Sequence, residues 1–409
     1  MTIPPPGRWI GTVNMNSQRL FILIVLLIPL LASCSRVETP TPAAMPTLSL
    51  AALRTELPEL ELIITPGELF VDRDTVQTEP TAEPTVQPEA SATPAPAASL
   101  RQLTDGGCCT EPFWSPDGQR ILYIDRPSAE AQSGLWGVGL QGGQPEFITD
   151  KLGIYSPDMQ LRATLVNGRT VVERLDSGEQ WTIPNNGRAV SFSPDGTWVA
   201  WTAGQSGPPF DSARRQVWVS RFDGSQANQV FDAIRGGFGG WFPDGRLLVS
   251  GLAAEAGSEQ AYWVLNLEGS LEDQASLAEL GRGGRLREAK ISLDGSWLAY
   301  MVSFSQDPDQ DGIWLVNTHS GERKRLDIFG GYQWRNGERL LVVPLDLRQP
   351  VHQLLQVQAD TGQVTTLTDP AVTPFKIANG DWSISPVGDK IIFLSAEDNN
   401  IWTLEIPDS

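Results

Sequence analysis

The segment Asp307-Pro308-Asp309-Gln310-Asp311-Gly312 carries the plainest metal-binding chemistry in this chain of 409 residues. Carboxylates at alternate positions, with glycine at the sixth, reproduce the opening of a calcium loop, in which hard oxygens converge on the ion. The twelfth position is Thr318 instead of a bidentate Glu, so Asp307, Asp309 and Asp311 are expected either to hold calcium or to form a solvated hairpin turn. The two histidines offer less: His319 falls in a turn and His352 opens a strand, where each is expected to be structural. Three cysteines and two histidines leave little material for zinc, haem or iron–sulfur chemistry, and no cofactor other than calcium is expected. Cys108 and Cys109 are neighbours, and one trans peptide holds their Cα atoms at about 3.8 Å, closer than an unstrained disulfide allows.

Charge narrows the partners. Thirty basic residues face 49 acidic ones, a net charge of −19. A phosphate backbone is bound by releasing counterions to a basic surface, so nucleic acid is excluded as the partner, and anionic headgroups are disfavoured in the same way. The 49 carboxylates leave general acid–base catalysis by a spatial pair open.

The first hundred residues read as targeting and tether. Residues 20–31, LFILIVLLIPLL, form an apolar run led by Arg19, too short to span a bilayer and suited to a signal peptide. Met15 offers a second start with a more ordinary leader. The run ends in Leu31-Ala32-Ser33-Cys34, which resembles the lipobox of bacterial lipoproteins. That resemblance implies a signal peptide over residues 1–33, acylation of Cys34 with chains such as palmitate, and an extracytoplasmic protein held to the bacterial cell membrane by lipid alone, at the outer membrane where there is one. Residues 34–99 then read as a linker, largely disordered. From 35 to 100 there are ten Pro, three Arg, no Lys and ten acids, a composition that buries too little apolar surface to offset chain entropy. One apolar island, LPELELIITPGELFV at 57–71, interrupts it.

Past residue 100 one hairpin recurs. Its clear copies are FWSPDGQRILYI, SFSPDGTWVAWT, GWFPDGRLLVSG and KISLDGSWLAYM; IYSPDMQLRATL, YQWRNGERLLVV and SISPVGDKIIFL are degraded ones. The third position after the leading pair falls at 116, 157, 194, 243, 293, 335 and 386, spacings that suit blades of four strands. Pro presets φ at the first corner, Asp bonds its own backbone and Gly accepts the positive φ that follows. Third strands such as QVWVSRF and GIWLVNT, and fourth strands ending in a Leu-Thr or Ile-Thr pair, complete each unit. The last unit lacks a fourth strand, and LRQLT at 100–104 stands before the first motif to supply it. The expectation is an all-β, seven-bladed β-propeller over residues 100–409, closed by an N-terminal strand, which hides the edges of an open array. Trp114, Trp136, Trp198, Trp201, Trp218, Trp263, Trp297, Trp314 and Trp402 recur at equivalent positions and are expected between blades, whereas Trp181 and Trp334 fall outside the repeat and are expected on an exposed face.

These hairpins resemble the WD40-like (PD40) repeats of TolB-type β-propellers over about three quarters of the chain. The resemblance implies the fold and says little of function, because such propellers serve as scaffolds, binding proteins and non-catalytic halves of peptidases. The small α/β domain that precedes a periplasmic TolB propeller is replaced here by the linker, so the translocation role does not carry over. Ser193-Pro194-Asp195-Gly196-Thr197-Trp198 differs from a sialidase Asp box because Gly follows Asp directly, and no Gly-x-Ser-x-Gly nucleophile turn occurs.

The expectation is a lipoprotein, not an enzyme, probing its surroundings as a monomer and binding an envelope protein or glycan. Residues 204–215, 271–287 and 303–312 are the long insertions that would meet the partner. The alternative is an enzyme acting on envelope carbohydrate with carboxylates at the channel mouth. Replacing Cys34 by Ser is expected to move the protein from the membrane fraction to the soluble one and to abolish incorporation of labelled fatty acid; a C34S protein that stays membrane-bound refutes the lipid anchor.

Overall fold

The computed structural model describes residues 98–107, 110–204, 213–252, 260–270, 278–279, 285–305, 307–346 and 349–407. The leader, Cys34, the linker up to residue 97, and Cys108 and Cys109 lie outside the described residues.

The described residues are all-β in a propeller arrangement, with one short 3-10 turn at Pro308–Gln310 and no α-helix among them. Every paired strand is antiparallel to its neighbour. The first sheet runs Thr110–Trp114, Arg120–Asp125, Gly134–Gly139, Glu146–Thr149, and the second Ile154–Tyr155, Leu161–Val166, Arg169–Arg174, Gln180–Ile183. Two more sheets of four follow the same meander over Arg285–Leu326 and Gly330–Thr366. The last is made of Ile377–Ile384, Lys390–Ser395 and Ile401–Glu405, with Leu100–Gln102 as its fourth strand, in the register Leu100↔Leu404 and Gln102↔Trp402.

The count of sheets differs from the seven expected: there are six, one of them seven-stranded. The third and fourth sequence units are joined by a single strand, Asn228–Trp241, which pairs with Arg214–Arg221 over its first half and with Leu247–Leu252 over its second. The register breaks between Ile234 and Gly237 and again between Phe238 and Gly240. Gly236 (φ 81°) and Gly237 (φ 132°) take up the bend, and a Cβ on Gly236 would lie 2.1 Å from the Ser250 carbonyl oxygen. The ladder bends without ending, so two units share one sheet.

The hairpin turns are held by a hydrogen-bonded hub that repeats around the molecule. Ser115 donates its hydroxyl to Asp117 (2.6 Å) while its own Oγ accepts from the Arg120 amide (2.9 Å), and Asp117 accepts from the Gln119 amide (3.0 Å). The same set recurs at Ser156–Asp158, Ser193–Asp195 and Ser292–Asp294. In the degraded copy SISPVGDK, Val387 stands where Asp belongs, and Asp389 takes its place, accepting from Ser385 at 2.7 Å. Ser is therefore the buried member that ties turn to strand, at 1% exposure for Ser193 and Ser292. In IYSPDMQL the position of Gly is filled by Met159, which adopts the left-handed φ of 56°.

Packing between sheets uses the aliphatic and aromatic faces that the alternation supplies. Phe242, Leu248 and Tyr262 meet Ile291, Leu298 and Tyr300 across one junction, and Leu103, Trp114 and Tyr123 meet Ile392 and Ile401 across the closing one. Trp334, expected on an exposed face, is 3% exposed and donates its indole N–H to the Lys290 carbonyl at 2.7 Å, so it belongs to the inter-sheet core. Strand Arg169–Arg174 adds a third strand that the repeat does not announce; it is reached through the two-residue turn Asn167-Gly168, both at positive φ.

The Ser–Asp hubs make the fold sensitive to acid. At Asp117 the hydrogen bond from Ser115 is the largest cause holding the carboxyl below its ordinary range. At Asp195, Asp294 and Asp389 burial pulls upward, and the donated hydrogen bonds together outweigh it. The folded state thus binds these protons less tightly than the unfolded state. Their stabilisation is complete above the unfolded carboxylate value of about 4 and is lost as pH falls through the lower folded values. Unfolding free energy is expected to be flat in this contribution from pH 7 to about 5 and to drop below about 4, with Ser193→Ala costing about 1–2 kcal/mol at neutral pH and flattening the acid limb. An S193A protein as stable as the native one at pH 7 contradicts the role given to the hub.

Candidate functional site

The two edges of the sheets differ in what their polar groups are doing. At the turn edge the carboxylates are committed to their own backbone. The opposite edge carries the connections between second and third strands and between successive units, where the long insertions occur.

One cavity opens there, about 310 Å³ in volume, lined by Arg215, Arg235, Gly236, Gln260, Arg285, Leu286 and Arg287. Strand register explains why these distant residues meet. Arg215 is the second residue of its strand and lies opposite Gly204 and Ala233, Gln260 opens its strand opposite Leu252, and Arg285 opens its strand opposite Ser303. All are strand ends on the same edge. Gln260 seals the wall between neighbouring sheets by accepting the Leu286 amide at 3.3 Å, and the Arg235 amide donates to the Ala213 carbonyl at 2.9 Å.

Two backbone positions at the rim are strained. Arg235 (φ 61°) and Glu288 (φ 51°) both occupy the left-handed region, which costs a non-glycine residue on the order of 1 kcal/mol and persists where the surroundings over-determine it. Four arginines line this one cavity in a chain whose net charge is −19. Among the described residues no carboxylate lines the cavity, and none pairs with Arg215, Arg285 or Arg287. Arginine presents planar, bidentate donors matched to carboxylate. The chemistry of the basin is that of an acceptor for anions.

Further along the strand that carries Arg285 and Arg287, Lys290 donates to the Tyr332 carbonyl at 2.7 Å, with its ammonium 5.3 Å from the Tyr332 ring centroid. Burial lowers this lysine to about 8, so it exchanges its proton near neutrality. Tyr332 in turn donates its hydroxyl to the Glu288 carbonyl at 2.6 Å. Burial holds the Asp125 carboxyl above its ordinary range, and the group accepts from the Arg126 amide at 2.7 Å.

The residues singled out from the sequence are placed as follows. Asp307 caps the turn Pro308–Gln310 and accepts from the Asp309 amide, and Asp311 accepts from the Ser305 amide at 2.9 Å. The three carboxylates are not brought together, and among the described residues no group of three metal-ligating side chains is. His319 is exposed in its turn. His352 forms an isolated bridge to Phe375 instead of opening a strand, and its Nδ1 accepts from the Ile377 amide at 3.1 Å; burial and Lys376 lower its proton affinity. The described ends of insertions 204–215 and 271–287 supply Arg215, Arg285 and Arg287 to the basin.

Neither a protein-family model nor a curated protein matches the sequence. Solved structures do share the fold. An oligogalacturonate lyase in complex with manganese is 13% identical, with 76% of this chain and 97% of that chain covered and a TM-score of 0.53. An oligogalacturonate lyase from Vibrio parahaemolyticus is 14% identical, with 77% and 98% covered and the same TM-score of 0.53. A putative TolB from Agrobacterium tumefaciens is 16% identical over 64% of this chain and 92% of that one, at a TM-score of 0.35. The expectation that the chain is not an enzyme is corrected by the first two, which are enzymes on this architecture. A propeller site assembles from several sheets, so a missing linear motif says little about catalysis. The donor set among the described residues does not suit a manganese centre.

Proposed function

We propose that this chain is a lipid-tethered, extracytoplasmic propeller of seven blades, two of them sharing a strand, that recognises an acidic carbohydrate in the arginine basin. The observation that carries the reading is the convergence of Arg215, Arg235, Arg285 and Arg287 on one cavity of about 310 Å³ that no described carboxylate lines. The volume is at the lower end of small-molecule sites and suits one or two sugar units. Guanidinium pairs fit uronate carboxylates, and the two lyases of similar fold are named for an oligosaccharide of that class. The leader and Cys34 support delivery to the cell surface, where such polymers are met.

A carbohydrate-active role would draw its base from Lys290, which stands further along the basin's strand, outside the cavity's lining, with its proton affinity lowered by burial. Elimination from a uronate removes the proton on the carbon beside the carboxylate, negative charge builds on that carboxylate, and the bond from the adjacent ring carbon to the glycosidic oxygen then breaks to leave a carbon–carbon double bond, the departing oxygen taking a proton from solvent. Guanidinium groups already in place would stabilise the charge, and an amine that is largely neutral at mildly alkaline pH would accept the proton.

Calorimetric titration with trigalacturonate is expected to show binding that weakens steeply with salt and falls at least tenfold in Arg215→Ala and in Arg285→Ala. Equal affinity in both variants refutes the basin as the site. Incubation with oligogalacturonate is expected to release unsaturated product, read by ultraviolet absorbance, at a rate that rises with pH toward about 8 and is lost in Lys290→Met. Binding without any product overturns the catalytic reading and leaves the recognition reading standing.

A further inference from the structure

We propose that Phe304 is a stacking platform for a sugar ring beside the basin, so that the site reads a carboxylate and a neighbouring pyranose together and takes an acidic oligosaccharide in preference to a small anion. The inference rests on the reading of the basin as an acidic-carbohydrate site and assigns its specificity.

Phe304 follows directly on the strand Trp297–Ser303, whose last residue is in register with Arg285 of the basin. It is 69% exposed, an unusual state for a phenyl ring that serves only packing. Its φ is 60°, a conformation that a bulky aromatic residue rarely adopts. Strain of this kind persists when neighbouring bonds hold it, and they are present. The Ser305 amide donates to the Asp311 carboxylate at 2.9 Å, the Asp311 carbonyl accepts from Arg325 at 3.0 Å, and Asp307 caps the turn between them. The acidic segment that resembles half a calcium loop thus fastens the residue after Phe304. The ring itself is positioned by Arg287, whose guanidinium carbon lies 5.2 Å from the ring centroid and which is one of the residues lining the cavity.

An aromatic face held at the rim of a cationic cavity matches the two sides of a uronic acid chain. The carboxylate seeks guanidinium, and the C–H face of the next pyranose seeks an apolar plane. A lone small anion would use the first and gain nothing from the second. The exposed position of Phe304 makes its substitution compatible with folding, so the effect on recognition can be read separately.

The test titrates the full chain, as native protein, Phe304→Ala and Phe304→Trp, with trigalacturonate and with inorganic sulfate. Phe304→Ala is expected to weaken trigalacturonate about tenfold while leaving sulfate unchanged, and to melt with the native protein. Phe304→Trp is expected to keep the native affinity and to add an emission change on trigalacturonate that sulfate does not produce. Native affinity for trigalacturonate in Phe304→Ala overturns the platform and leaves the basin reading intact. A native protein that holds sulfate as tightly as trigalacturonate also overturns the platform, and one that binds neither removes the acidic-carbohydrate reading with it.

Discussion

The strand Leu100–Gln102 laid against Ile401–Glu405 is the constraint on which the remaining structure depends. A sheet of three strands at the end of the chain would present an unpaired edge, and the first and last sheets would lack a fixed partner. The tie is reinforced on both sides. Thr104 accepts the Ile401 amide at 2.9 Å, the Glu405 amide donates to the Ser99 carbonyl at 3.0 Å, and Thr373 donates to the Ala98 carbonyl at 3.2 Å. Arg335, buried to 6% exposure, reaches the Gly388 carbonyl and Gln356 and extends to the Pro407 carbonyl. The degraded motif YQWRNG contains no Ser, so this copy of the turn lacks the Ser–Asp hub and Arg335 braces the closing sheet instead.

Closure decides where chemistry can occur. Once each sheet is covered on both faces by its neighbours, the faces are filled by Leu, Val, Ile and aromatic rings, and polar function is pushed to the edges. The edge of the Ser-Pro-Asp-Gly turns has its carboxylates bound to its own hydroxyls and amides, which stabilises the hairpins and leaves little for a ligand. The opposite edge tolerates insertion, and there two strand beginnings and the bend of Asn228–Trp241 place four arginines around one cavity.

Much of the fold is legible in the sequence because turn chemistry is local and repeats: the hairpins, their spacing and the stray fourth strand at residue 100 need no knowledge of the whole. The sheet count is not, because whether two units separate depends on how Gly236 and Gly237 bend a strand, and a bend can continue a ladder as readily as end it. Trp334 reads as exposed because its motif is degraded, yet the residue occupies a core position. Strand Arg169–Arg174 is announced only by Asn167-Gly168, a signal that the search for Ser-Pro-Asp-Gly passes over. The site is the least legible part. Arg215, Arg235, Arg285 and Arg287 follow no period; the insertions containing three of them are visible as interruptions, but only the antiparallel register places their ends around one cavity.

The division between a self-satisfied edge and a ligand-binding edge is tested most directly by a crystal structure of the propeller soaked with trigalacturonate. The account predicts a uronate carboxylate among Arg215, Arg235, Arg285 and Arg287 with the adjoining ring against Phe304. A ligand seated on the edge of the Ser-Pro-Asp-Gly turns, with the basin unchanged, contradicts it.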